Sequence, residues 1–237
     1  MIRLTVGLIA LLLSACAAPA PVPEVKTFPS VTRQECGQIA EAYRTHRWTA
    51  HEANIMHGLD AKGIRVDTPD STYQKPGAVP GWWRTGVPNQ GVPYQWGGFS
   101  TLAEFDAGLR AGKAAGDVYT SEKRRLLDDG VSDQAVGIDC SGFISRCWKL
   151  PRSYSTRELQ GLCIELPSWS DLKPGDILNT YNAHCLLFAG WDDAEQKVLA
   201  AYETGSPPDW KVVAHGIDAK RLRSLGYRPL RYANMRD

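Results

Sequence analysis

The sequence is poor in the features that mark several large classes of protein. Its 237 residues carry a formal net charge of +1 and no long basic run, which gives no support for a nucleic-acid partner. His46, His51 and His57 gather in one segment, but no two of them are three or four residues apart. That spacing cannot put two imidazoles on one helix face, so no metal site and no cofactor are expected. The apolar run at residues 4–13 is too short to span a bilayer, so no transmembrane helix is expected there. No internal repeat is evident. With 43% hydrophobic and 22% charged residues, what remains is an ordinary globular composition, long enough for one substantial core.

What is present begins with an export signal. Arg3 precedes the apolar run, which ends in Leu13-Ser14-Ala15-Cys16. That tetrad resembles the lipobox of bacterial lipoproteins, which implies a signal peptide over 1–15 and acylation of Cys16. Residues 16–30 then read as a Pro-rich tether. The expected location is the cell envelope, with the membrane met only through the N-terminal lipid. Ala17 leans towards an outer membrane if the source is Gram-negative. Cys36, Cys147, Cys163 and Cys185 would allow three pairings in an oxidising compartment. Four free thiols are equally compatible with the sequence.

The remaining cysteine, Cys140, opens the most informative stretch, Gly137-Ile138-Asp139-Cys140-Ser141-Gly142-Phe143-Ile144. Small and polar residues give way to apolar ones at 143, 144, 147 and 148, the spacing of a buried helix face. Cys140 is therefore expected in the first turn of a helix, where free N–H groups and the helix dipole favour a thiolate. A buried structural cysteine is the other reading of this stretch alone.

Further along, residues 184–191 and 197–203 are β-prone runs joined by Asp192-Asp193-Ala194-Glu195-Gln196, the pattern of a hairpin. A turn centred near 193–194 sets His184 directly opposite Glu203, and puts His184 on one face with Leu186 and Phe188. A helix-start cysteine, a strand-borne histidine and an acid beside it supply a nucleophile, a base and an orienter. His215 competes with Glu203 for the third role, but lies beyond the hairpin, so Glu203 is preferred.

Elsewhere, Thr32 with Glu35 and Ser155 with Glu158 read as capping boxes. The first would open a helix running towards Met56. Residues 58–98 are turn-rich, 99–136 mostly helical, and Leu172-Lys173-Pro174-Gly175-Asp176 a tight turn into a strand at 177–179. Further strands are expected at 210–213 and 227–232.

Tyr94-Gln95-Trp96-Gly97-Gly98, Asp139-Cys140-Ser141-Gly142-Phe143, the Leu172–Asp176 turn and Ala183-His184 resemble, in that order, the motifs of NlpC-type cell-wall peptidases. These are papain-like cysteine peptidases of bacteria, and the resemblance covers about residues 91–205. It implies an α+β papain-like fold, in which a cysteine-bearing helix packs on an antiparallel β-sheet. The chain then divides into an N-terminal helical and loop segment, 31–90, and a peptidase domain, 91–237, with a helical insertion at 99–136.

The resemblance further implies hydrolysis of the D-γ-glutamyl-diamino acid bond in peptidoglycan stem peptides, with Tyr94, Asp139 and Ser141 holding a free amine of the substrate. Two other functions fit the same residues. One is an amidase or acyltransferase acting on a non-wall γ-glutamyl or lipid amide. The other is an inactive binding lipoprotein. The chain departs from the family pattern in the length of the insertion, in having Glu203 where His is commoner, and in carrying no recognisable wall-targeting module.

Overall fold

Thr32 caps the first helix as its sequence predicts: its hydroxyl accepts from Glu35 N–H at 3.2 Å, and the Glu35 carboxylate accepts from Thr32 N–H at 2.9 Å. In the computed structural model, which describes residues 28–75, 80–205 and 209–237, this helix is α1 (Arg33–Thr45). The expected signal peptide, most of the tether and the lipidation residue Cys16 lie outside the described residues. Helix α1 does not run on to Met56. Residues Arg47–Thr49 form a strand against Pro88–Gln90, and the Trp48 ring packs edge-on to Trp82, Trp83 and Phe105. Burying Trp48 there, with its Nε1 donating to Gly91 O at 2.9 Å, outweighs another helical turn.

The molecule is mixed α and β, and its main sheet has six antiparallel strands. In chain order these are β1 (Cys163–Glu165), β2 (Ile177–Asn179), β3 (Cys185–Trp191), β4 (Val198–Thr204), β5 (Val212–Asp218) and β6 (Arg228–Tyr232). Across the sheet the order is β5-β4-β3-β2-β6-β1. The period-2 alternation of β3 divides two core layers. Cys185 and Leu187 join a cluster with Phe143, Ile144 and Trp148. Leu186 and Phe188 join Leu178, Leu199 and Leu222 on the other face. The turn into β2 is fixed by Asp176, fully buried, which accepts from Lys173 N–H at 2.9 Å and pairs with Arg33 at 3.0 Å and Arg231 at 2.7 Å.

Residues 99–136 are less helical than expected. Helix α2 (Leu102–Arg110) and helix α3 (Ser121–Leu126) are present, but between and after them Ala114–Ala115 pairs in parallel with Ala135–Val136. Gly112, at φ +78°, stops α2 in a conformation that only glycine adopts freely.

Helix α4 (Cys140–Cys147) packs on the first core layer with its N-terminus beside His184, just ahead of the central strand β3. Phe143, Ile144, Cys147 and Trp148 are completely buried. At about 1.5–3 kcal/mol for each large apolar side chain, that face is ample to hold the helix in place. Among the described residues no helix is long and apolar enough to cross a membrane.

Candidate active site

Cys140 is the first residue of α4, as the sequence predicts, and Asp139 is its N-cap. The Asp139 carboxylate accepts from Gly142 N–H at 2.5 Å and from Ser141 Oγ at 3.0 Å. The N–H groups of Cys140 and Ser141 have no backbone acceptor among the described residues, so both remain donors for a developing oxyanion. The Gly97-Gly98 turn lies flat on this helix start. Asp139 N–H donates to Gly98 O at 3.1 Å, and a Cβ on Gly142 would come within 2.1 Å of that same oxygen.

His184 immediately precedes β3 and lines the same cleft as Cys140. Its Nε2 lies 2.6 Å from Glu203 Oε2, which leaves Nδ1 as the nitrogen for the sulfur. The hairpin register differs from expectation by one position on each strand. Leu187 pairs with Tyr202 and Phe188 with Ala201, so Glu203 is diagonal to His184, not opposite it. The turn centres near Glu195, later than expected, as the pairs Gly190–Ala200 and Trp191–Leu199 show, and the irregularity between Phe188 and Gly190 takes back only part of that difference; a diagonal separation is still within reach of a Glu side chain.

Burial pulls the His184 pKa down, but the Cys140 thiolate and the Glu203 carboxylate outweigh it and raise it to about 10. The Cys140 thiol is driven well below its ordinary value. A hydrogen bond from the Cys185 thiol contributes most, opposed by burial and joined by the His184 charge and Cys185 N–H. Cys140 and His184 therefore stand as a thiolate–imidazolium pair near neutral pH. Glu203 is held below its usual range: burial opposes ionisation, but His184 and His215 outweigh it.

A cleft of about 340 Å³ opens over the cysteine, and Tyr94, Asp139, Ser141, Cys140 and His184 all line it. The structure thus brings five of the six predicted residues to one cleft, and Glu203 to the back of His184. Tyr94 is buried beside Trp210, at 5.8 Å between ring centroids, and its hydroxyl bonds to no described residue. Burial and the neighbouring Cys140 charge lift the Asp139 pKa to about 7, against the N–H of Gly142 and the Ser141 hydroxyl.

Three contributions were not evident from sequence. The Cys185 side chain lies in the core layer against which Cys140 packs, because alternation turns it to the α4 side of the strand, and it lowers the Cys140 pKa. Tyr119, Arg124 and Leu127 of the insertion form the wall facing Cys140, and an Arg124 hydrogen bond to Asn182 O ties that wall to the turn before His184. Finally, His215 also reaches Glu203, with Nε2 at 2.6 Å from Oε1. The five described cysteines are free thiols, so Cys36, Cys147, Cys163 and Cys185 form no disulfide here. Among the described residues there is no cluster of His, Cys, Asp or Glu suited to a metal ion.

Compared with known proteins, the chain matches no family model, no curated protein and no solved structure. What the geometry itself defines is a mixed α/β protein with an antiparallel sheet and a Cys–His–Glu constellation in a cleft.

Proposed function

We propose that this chain is a cysteine endopeptidase or amidase of papain-like design, acting on peptidoglycan stem peptides at the D-γ-glutamyl-diamino acid bond. The observation that carries this reading is the Cys140–His184–Glu203 arrangement, with the sulfur at a helix start, His184 lining the same cleft and Glu203 2.6 Å from its Nε2. The Cys140 thiolate attacks the carbonyl carbon, and the oxyanion forms near the free N–H groups of Cys140 and Ser141. His184, protonated, gives its Nδ1 proton to the leaving amine as the C–N bond breaks. Neutral His184 then takes a proton from water, whose oxygen attacks the thioester carbonyl. Collapse of that intermediate releases the acid and restores the thiolate–imidazolium pair. Glu203 keeps the imidazole in register throughout.

The peptide substrate follows from the resemblance to NlpC-type peptidases, and Asp139 in the cleft suits the free amine of such a peptide. Placement in the cell envelope follows from the lipobox-like tetrad at Cys16. A second reading draws on Tyr119 and Leu127, exposed apolar residues on the cleft wall. They favour an amide whose acyl part is apolar, as in a lipid amide.

The test is digestion of defined stem peptides, with and without a free N-terminal alanine, by the full chain and by Cys140→Ala. Cleavage after D-γ-glutamate by the wild type alone supports the proposal. Turnover retained by Cys140→Ala removes Cys140 from the chemistry, and cleavage of lipid amides alone selects the second reading.

A further inference from the structure

The Glu203 carboxylate has two oxygens and two histidines. Oε2 meets His184 Nε2 at 2.6 Å, and Oε1 meets His215 Nε2 at the same distance. The strand register produces this arrangement. Glu203 pairs with Val213 on β5, so His215 lies two residues along on the same face, diagonal to Glu203. His184 is diagonal to it on the other side, by continuation of the Leu187–Tyr202 register. Three strands therefore lay His184, Glu203 and His215 in one line across the sheet.

We propose that His215 is a positioning residue, the fourth member of a Cys140–His184–Glu203–His215 line, whose N–H fixes the Glu203 carboxylate for His184. This rests on the catalytic roles assigned above to Cys140, His184 and Glu203.

A glutamate side chain has three rotatable bonds, and holding one rotamer costs conformational freedom. Glu203 must also lean along the sheet, because its partner is diagonal. With only His184 on one oxygen, the carboxylate could rotate about its terminal bond towards solvent. A second pocket, of about 300 Å³, opens at that side and is lined by Glu203 and His215 together. His215 occupies the oxygen that would otherwise turn into this pocket. The task needs an N–H donor at the Nε2 position and not a charge. Glutamine can supply one there, since its amide nitrogen reaches about as far as Nε2, whereas asparagine reaches only to the Nδ1 position.

The charged and titratable groups facing His215 are Glu203 on β4, His184 ahead of β3, Asp209 and Lys211 ahead of β5, Arg221 on the helix following β5, and Tyr227.

The experiment compares the full-chain wild type with His215→Gln, His215→Asn and His215→Phe. The rate of Cys140 alkylation by iodoacetamide is followed from pH 4 to 10 by mass spectrometry of the Cys140 peptide. Stem-peptide kcat and KM and the melting temperature are measured on the same samples. For the Phe and Asn variants the expected result is a Cys140 alkylation rate at pH 6 lowered roughly three- to tenfold, with an upward-shifted midpoint. Their kcat falls at unchanged KM, and melting is preserved. The Gln variant stays within about twofold of wild type. Wild-type midpoints in the Phe and Asn variants overturn the proposal. So does a loss shared equally by all three variants and tracking their melting temperatures, since that is packing alone. If the wild type cleaves no stem peptide, the substrate assignment fails, while the alkylation midpoints still decide the role of His215.

Discussion

Lys123 Nζ sits 2.6 Å from Asp117 Oδ2, with both side chains out of solvent, and this pair anchors the wall that faces Cys140. The same ammonium donates to Arg65 O at 2.6 Å and to Gly130 O at 3.1 Å, so one buried lysine gathers both ends of the 119–131 wall and the N-terminal segment. Burial lifts the Asp117 pKa to about 7 even with Lys123 pulling it down. Lys123→Met strips the carboxylate of its partner and leaves two carbonyls short of a donor. The expected loss is about 3–5 kcal/mol in urea unfolding. The double variant Asp117→Leu with Lys123→Met should recover part of it. A single variant as stable as wild type would mean the pair does not anchor the wall.

Asp139 leads to a pH-dependent specificity. Its folded pKa of about 7 lies above the ordinary carboxylate value, so it is protonated in mild acid and anionic above neutrality. Only the anion attracts an ammonium group. For a stem peptide with a free N-terminal amine, KM should therefore rise roughly tenfold per unit as pH falls below 7, while an N-acetylated peptide shows no such limb. Asp139→Asn still caps α4, and should abolish the difference between the two peptides. Parallel pH profiles for the free and acetylated peptides would place the amine elsewhere. The same shift has a stability consequence. Between the unfolded and folded pKa values the native state binds more protons, so this group's contribution to stability declines as pH rises from about 4 to 7.

Cys185 makes a second test, independent of substrate. Its thiol is the largest influence lowering the Cys140 pKa, and its own is pushed well up, by burial first and then by the Cys140 charge. Cys185→Ala removes that donor but keeps the backbone N–H. Alkylation of Cys140 at pH 6 should slow by roughly three- to tenfold. Cys185→Ser restores an O–H donor and should stay close to wild type. Equal rates in all three proteins would show that the thiol contributes nothing to the nucleophile.

The parts of the site that are local in sequence could be read from it. The cysteine in the first helical turn and the buried face at 143, 144, 147 and 148 depend on neighbours within a turn or two. The capping boxes at Thr32 and Ser155 likewise came through, because their partners are three residues away. The hairpin was legible as two strands, but its register was not. The polar 192–197 segment does not mark where its turn centres, and a later centre together with the irregularity between Phe188 and Gly190 changes which residues face one another. The Lys123–Asp117 anchor and the wall formed by Tyr119, Arg124 and Leu127 depend on how distant segments pack, which local periodicity does not encode. His215 could be named as a rival to Glu203. That both act on the same line could be seen only once three strands were in register.

Glu203 decides how far the ion pair extends into alkaline pH. Its carboxylate is among the influences holding the His184 pKa at about 10 against burial, so the imidazolium persists well above the ordinary histidine range. Glu203→Gln keeps an acceptor beside His184 Nε2 and removes the charge. The imidazolium then loses its proton at lower pH, and the alkaline limb of kcat/KM should move down from about 10 by roughly one unit. The acid limb, set by formation of the Cys140 thiolate, should move up, because a less stable imidazolium is a weaker partner for the anion. The plateau narrows from both sides, and kcat at its centre should fall about ten- to a hundredfold with little change in KM. Glu203→Ala should be no better, since it also releases the ring and leaves His215 without its acceptor. A pH profile of unchanged width in Glu203→Gln would mean that the carboxylate serves the ring's orientation alone and not its charge.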